Sequence, residues 1–196
     1  MAKVACKTCG VAILTDTAER NNGECGPCKS GTRQQIETSK QRYREERECE
    51  KTDPFRKLWL SLVRRAYDTP NGFESFSEAE RLYFAVGLLE GEVYNGGFDQ
   101  YFFNSSADYY RYAVDGLQAM GAPHALELLL RAKQVVFGFD EPEQNTERRR
   151  AFLRRAVDAS CSERLSSLDS LFWQDPDSLG AKAEQFAKER GLVSVA

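Results

Sequence analysis

From residue 53 onward, apolar side chains return at helical spacing. Phe55, Leu58, Trp59, Leu62, Val63 and Ala66 mark one face of a helix that Asp53 can cap and Pro54 can open. Ser77 and Glu80 form a capping box ahead of a second stripe, Leu82, Ala85, Val86, Leu89 and Val93. Phe84 and Leu88 widen that stripe, so this helix is expected to be central and well buried. Further stripes follow. Tyr110, Ala113, Val114, Leu117 and Met120 form one that stops at Gly121, and Pro123 opens another that runs to Gly138. Phe152, Leu153, Ala156 and Val157, then Leu165, Leu168, Leu171 and Phe172, and finally Leu179, Ala183, Phe186 and Ala187 complete the set. No strand-like alternation and no internal repeat occurs in this region. The pattern predicts an all-α, bundle-like helical domain over 53–196.

The pattern changes upstream. Residues 33–52 are polar almost throughout, with alternating charges and no apolar stripe, as in an exposed helix or arm. They read as a charged helical connector. Residues 1–32 hold few apolar side chains, chiefly Val11, Ile13 and Leu14.

One stretch interrupts the helical rhythm. "GEVYNGGFDQYFFNSSAD", residues 91–108, sets Asn95, Gly96 and Gly97 at the end of the central helix, followed by Phe98, Tyr101, Phe102 and Phe103. Glycine reaches positive φ cheaply and asparagine tolerates it, so "NGG" predicts a helix stop. Phe98, Tyr101 and Phe102 fit a short helix doubling back on the previous one. Asn104 and Ser105 would end it, and Asp108 would cap the next. Glu90, Glu92, Asp99 and Asn104 remain nearby as polar groups able to anchor a ligand or partner.

Chemistry enters with the cysteines. "CKTCG" and "CGPCKSG" place Cys6, Cys9, Cys25 and Cys28 in two C-x2-C knuckles separated by fifteen residues. That spacing fits a four-cysteine zinc site. Four thiolates complete a tetrahedron and leave no open position, so the expected ion is a structural Zn2+ in a zinc ribbon or knuckle over 1–32. Metal binding, worth about 10–16 kcal/mol in such modules, would supply stability that so few apolar residues cannot. Cys49 and Cys161 have no knuckle partner and read as ordinary helix residues.

Composition then narrows the function. The chain has 196 residues, 41% of them apolar, which suits one domain with a core plus an appendage. It carries 27 basic and 30 acidic residues, net −3. Residues 66–147 hold four bases against fourteen acids, a local balance of −10 that leaves +7 for the remainder. The arginines cluster at 64–65, 148–150 and 154–155. No apolar run reaches the roughly eighteen residues a membrane span needs. With no signal-like segment, a cytoplasmic location is expected. His124 is the lone histidine and reads as a first-turn surface residue. There is no Ser-His-Asp set, Cys-His pair or phosphate-binding glycine loop, so no enzyme is expected.

"EVYNGGFDQYFFN" also resembles the N-G-G-F-x-Q-Y-F-x-N signature of a bacterial family of domains of unknown function, named after a DNA-mimic protein. The match falls on Asn95, Gly96, Gly97, Phe98, Gln100, Tyr101, Phe102 and Asn104. The resemblance spans about residues 54–190 and is most specific over 92–104. The N-terminal "ILTDTAERNNGECGPCKSG" is similar to zinc modules attached to such domains. The resemblance implies an all-helical, often dimeric, non-enzymatic domain. DNA mimicry would require an acidic surface that copies phosphate spacing and occupies a DNA-binding partner. Residues and resemblance together lead to a cytoplasmic protein-interaction or regulatory factor. Its acidic middle, including Glu90, Glu92 and Asp99, would mask a basic site on an unidentified protein partner. A nucleic-acid-associated zinc protein, using the ribbon and basic helix 147–155, is the second reading.

Overall fold

The computed structural model describes residues 2–194, except the side chains of residues 49 and 50. It divides into two compact units, Met1–Asp53 and Pro54–Ala196.

In the first unit, β1 (Lys3–Ala5) and β2 (Ala12–Leu14) pair antiparallel with Val4 opposite Ile13. The hairpin continues through the Cys6 amide, which donates to Val11 O at 2.9 Å. Short helices α1 (Thr15–Arg20) and α2 (Gly26–Lys29) follow, then α3 (Arg33–Thr52). Ion pairs one turn apart line α3, such as Arg33–Glu37 at 3.1 Å and Lys51–Glu48 at 2.7 Å. Each contributes only about 0.2–0.5 kcal/mol. Among the described residues of this unit, only Cys6 and Cys25 are buried, while Val4, Val11 and Leu14 remain exposed. The unit therefore has no apolar core of its own. The Cys49 side chain lies outside the described set.

The second unit is built on α5 (Glu78–Phe103), preceded by α4 (Pro54–Asp68) and a 3-10 turn at Gly72–Ser75. The capping box at its start is present: Glu80 N donates to Ser77 Oγ, and Ser77 N donates back to Glu80 Oε2. After a second 3-10 turn (Ser105–Tyr109) come α6 (Tyr110–Ala119), α7 (Pro123–Phe137), α8 (Thr146–Ala156), α9 (Ala159–Phe172) and α10 (Leu179–Glu189). Helix α5 packs against α4, α6, α8, α9 and α10, and α7 packs on α6 and α9. Phe84, Val86, Leu89 and Val93 of α5 are fully buried, together with Leu62, Leu117 and Leu129 from its surroundings. The central position expected from the widened stripe is thus observed. The all-α expectation also holds: among the described residues, strand is confined to one hairpin of three-residue strands. Among the described residues, no helix is long and apolar enough to cross a membrane.

Three apolar positions of the expected stripes face outward instead. Ala156 and Leu171 are exposed, and so is Phe152, whose ring stacks on Phe137. Asp108 does not cap α6; Arg149 and Thr146 bind its carboxylate.

Candidate metal centre and the glycine elbow

The turn after β1 and the start of α2 bring Cys6, Cys9, Cys25 and Cys28 together, with all four Sγ atoms within 4.8 Å of one another. Cys9 Sγ and Cys25 Sγ are 3.7 Å apart. A tetrahedral ion with Zn–S bonds of about 2.3 Å requires sulfur edges of about 3.8 Å. A disulfide requires about 2.05 Å. The geometry fits a shared ion, and all four cysteines are free thiols.

The surroundings favour a thiolate at Cys6 and at Cys25. Cys25 N donates to Cys6 Sγ at 3.2 Å, and this amide with that of Cys9 lowers the Cys6 thiol to about 6. Burial opposes ionisation of Cys25, but the Cys28 amide and the Arg33 guanidinium outweigh it. Cys28 is pushed up to about 12 by burial and by the sulfurs beside it. A cation placed among the four would remove that opposition, because ligation deprotonates a thiol. Arg33, at the first turn of α3, donates to Cys9 Sγ at 3.2 Å and Cys25 Sγ at 3.1 Å. It would offset the surplus negative charge that four thiolates leave around a divalent ion. The group is compatible with a metal site and, by its donors, with zinc.

The signature stretch forms an elbow. Helix α5 is broken at Gly96 (φ −161°, ψ 20°) and Gly97 (φ 78°, ψ −177°). Gly97 occupies a region nearly closed to side chains. A Cβ there would also lie 2.7 Å from Asp169 Cγ. The break leaves backbone groups unpaired, and α9 supplies partners. Phe98 N donates to Asp169 Oδ1 at 2.8 Å, and Trp173 Nε1 donates to Val93 O at 3.0 Å. Inside the bend, Glu92 accepts from Gln100 Nε2 (2.7 Å), Asn104 Nδ2 (2.9 Å) and Ser106 Oγ (2.7 Å). A straight helix would hold residue 104 roughly 18 Å from residue 92, so the chain folds back on itself here. Phe98, Tyr101 and Phe102 are fully buried, and Asn95 and Gly96 are exposed.

Arginines from α8 close the far end. Arg149, with no exposed surface, donates through Nε to Phe102 O (2.7 Å), through Nη2 to Asn104 O (2.7 Å) and through Nη1 to Glu143 O. It also pairs with Asp108 at 2.8 Å. Arg150 Nε donates to Phe103 O at 2.8 Å, and its guanidinium lies over the Phe103 ring. Both arginines cap the carbonyl end of the short helix, where cations are favoured.

This arrangement gives two of the charged groups a structural role. Glu92 spends both its oxygens on the elbow. In helix 147–155 the carbonyls of 102–104 bind Arg149 and Arg150, while Arg148, Arg154 and Arg155 stay exposed. The other two proposed acids differ from Glu92 in setting. Glu90 is half-buried, and burial and then Asp175 push its carboxyl up; Asp99 is exposed beside Asp169.

The spacing held a signal for Arg149 and Asp169 that residue type concealed. Arg149 is in helical phase with Phe152 and Leu153, and Asp169 with Leu165 and Phe172. Both sit on apolar stripes. Trp173 gave no comparable signal. Replacing Gly97 with alanine is expected to cost about 2–4 kcal/mol, combining strain with loss of the Asp169 bond. Thermal unfolding of Gly97→Ala beside Gly91→Ala, an open helical position, measures it.

His124 Nδ1 lies 2.9 Å from Asp177 Oδ1, whose other oxygen accepts from Ala125 N at 2.8 Å. Asp177 thus closes the first turn of α7, and most of the imidazole remains exposed. Burial opposes the Asp177 charge, but the Ala125 amide and His124 hold its carboxyl below the usual range. A depressed carboxyl contributes stability above its unfolded pKa, about 4, and loses that contribution as pH falls through the folded value. Asp177→Asn is expected to flatten the acid limb of Tm against pH below about 4.

A cleft runs beside α6. One cavity of about 430 Å3 is lined by Asp108, Tyr110, Arg111, Glu141 and Glu143, among others. A second, of about 320 Å3, shares Tyr110, Arg111 and Glu141 and adds Val114, Asp115 and Leu130. Among the described residues, Arg111 is the single base on either lining.

The family model for DMP19-like protein matches residues 74–190, more than half of the chain, and the match includes the elbow. The chain belongs to the DMP19-like family. The DMP19-like match begins twenty residues later than the resemblance read from the sequence, leaving α4 and the cysteine unit outside it. No curated protein and no solved structure matches the chain. Within the DMP19-like region, the elbow is the buried centre, and the α6 cleft carries the exposed Asp115, Glu141 and Glu143.

Proposed function

We propose that this chain is a non-enzymatic protein-interaction factor. Its DMP19-like domain presents carboxylates to the basic face of a partner protein, and its cysteines hold a structural zinc ion. Membership of the DMP19-like family supports an interaction role of the DNA-mimic type. The observation that carries the location is the distribution of exposed acids. Asp115, Glu141 and Glu143 are exposed around the α6 cleft, where Arg111 is the one base on the described lining and Lys133 pairs with Glu141 at 3.9 Å, whereas Glu92 is turned inward. Complementary charge of this kind speeds encounter and selects partners. The partner is a protein, and the basic face it offers could equally belong to a DNA-binding site. A cytoplasmic location and a homodimeric state are both consistent with this role.

Nucleic-acid binding through helix 147–155 would have to do without Arg149, which is buried, and Arg150, which is committed to Phe103, and would rest on the exposed Arg148, Arg154 and Arg155. Catalysis is disfavoured because the lone histidine serves a helix-start pair with Asp177.

The test is co-precipitation of partner protein by the full chain from a lysate of the source cells. Asp115→Asn, Glu141→Gln and Glu143→Gln combined should reduce capture at least tenfold at low salt, with no effect of nuclease. Capture that vanishes with nuclease would defeat this reading.

A further inference from the structure

Phe139 is 97% exposed, well beyond Tyr43 at 59%, the next most exposed large apolar side chain among those described. Its backbone is held firmly. Gly138, at φ +62°, ends α7, and its amide donates to Gln134 O at 3.0 Å. Lys133 Nζ, on a largely buried side chain, donates to the carbonyls of Gly138 (3.3 Å) and Phe139 (3.2 Å) and lies 3.9 Å from the half-exposed Glu141 carboxylate. Asp140 N returns to Phe137 O at 3.2 Å. Downstream, Pro142 is buried and Glu143 O receives the buried Arg149. The loop is therefore pinned on both sides of the ring it exposes. Phe137, two residues earlier, packs into the core against Phe102.

Exposed carboxylates surround this ring in sequence: Asp140, Glu141 and Glu143 follow within four residues. Glu141 also lines both cavities of the α6 cleft, whose lining includes the exposed Leu130 and half-buried Val114. An aromatic ring held out of the core is the kind of side chain that dominates interface energetics when a pocket receives it.

We propose that Phe139 is the apolar anchor of the docking surface, and that the partner is a protein with an apolar pocket rimmed by lysine or arginine. This rests on the reading of the acidic face above and adds a shape requirement to it. A nucleic acid would be repelled by the three acids. A second copy meeting this loop across a two-fold axis would bring like charges together.

The test compares full-length wild type, Phe139→Ser and the Asp115/Glu141/Glu143 triple variant as bait in nuclease-treated lysate, washed at low and high salt. A photo-crosslinking phenylalanine analogue at position 139 maps the contact. Phe139→Ser should weaken capture roughly tenfold or more at both salts, as expected for one buried ring. The triple variant should fail mainly at low salt, where charge contributes most. The crosslink should map to a partner peptide that combines apolar residues with lysine or arginine. If the triple variant loses capture and Phe139→Ser does not, the anchor is wrong and the acidic-face reading stands. If neither variant loses capture, or the wild type captures nothing, both fail. Crosslinking to a second copy of this chain, or a fall in Tm for Phe139→Ser, would place the ring in a dimer contact or under cover within the chain. Either would overturn the proposal.

Discussion

Chelating the metal, or replacing Cys25 with serine, is expected to unfold the N-terminal unit while leaving the helical unit folded. Cys6 and Cys25 are the only buried side chains described in that unit, so an ion held by the four cysteines would supply what an apolar core normally does. Zinc modules gain about 10–16 kcal/mol from the metal, and a unit of this size has no other source comparable to it. The core of the helical unit runs from Leu62 to Val193 and draws on none of the N-terminal residues. Heteronuclear NMR with and without a zinc chelator checks this. Amides of residues 2–32 should collapse to unfolded shifts, and those of α5–α9 should hold. Arg33 adds a second readout. Its pairing with Cys9 and Cys25 ties the first turn of α3 to the cysteine cluster, so that turn should fray when the thiolates lose their shared ion. Metal content by elemental analysis should give one zinc per chain. A folded N-terminal unit in the metal-free protein would sink the assignment.

Arg149→Met is expected to destabilise the helical unit by about 3–5 kcal/mol, the usual consequence of removing one partner from a buried ionic network. Three backbone carbonyls lose their donor at once, and Asp108 loses its cation. Such a loss should lower Tm by roughly 10 °C or more in a unit of this size. Arg149→Lys restores the charge but not the forked set of donors, so it should recover only part of the loss. Arg148→Met, one position away and exposed, should stay within about 0.5 kcal/mol of wild type. Thermal and urea unfolding of the three variants separates a buried clamp from a basic surface. Equal, small effects for Arg148 and Arg149 would restore the basic-face reading of helix 147–155.

These two sites show how far the chain could be read without coordinates. The cysteine knuckles were legible because their chemistry is local: two C-x2-C turns need only one ion to meet. The helical stripes were legible because burial of one face imposes a 3.6-residue period. The interruption at Asn95-Gly96-Gly97 was legible because φ +78° at Gly97 is a backbone requirement that residue type reports directly. Charged side chains carry no such report. Arg148, Arg149 and Arg150 look alike in sequence, yet the first is exposed, the second buried and the third held to Phe103. Glu90, Glu92 and Asp99 look like one acidic group, yet the elbow takes Glu92 for itself. What separates them is the position of unpaired backbone groups at a broken helix, 47 residues from Arg149 and 71 from Asp169 in the chain. The sequence alone determined where helices form, where the central one breaks and which thiols converge. Only the tertiary structure decided which charges serve the fold and which remain for a partner, because a buried carbonyl or amide must be paired and the nearest charged side chain is chosen by packing.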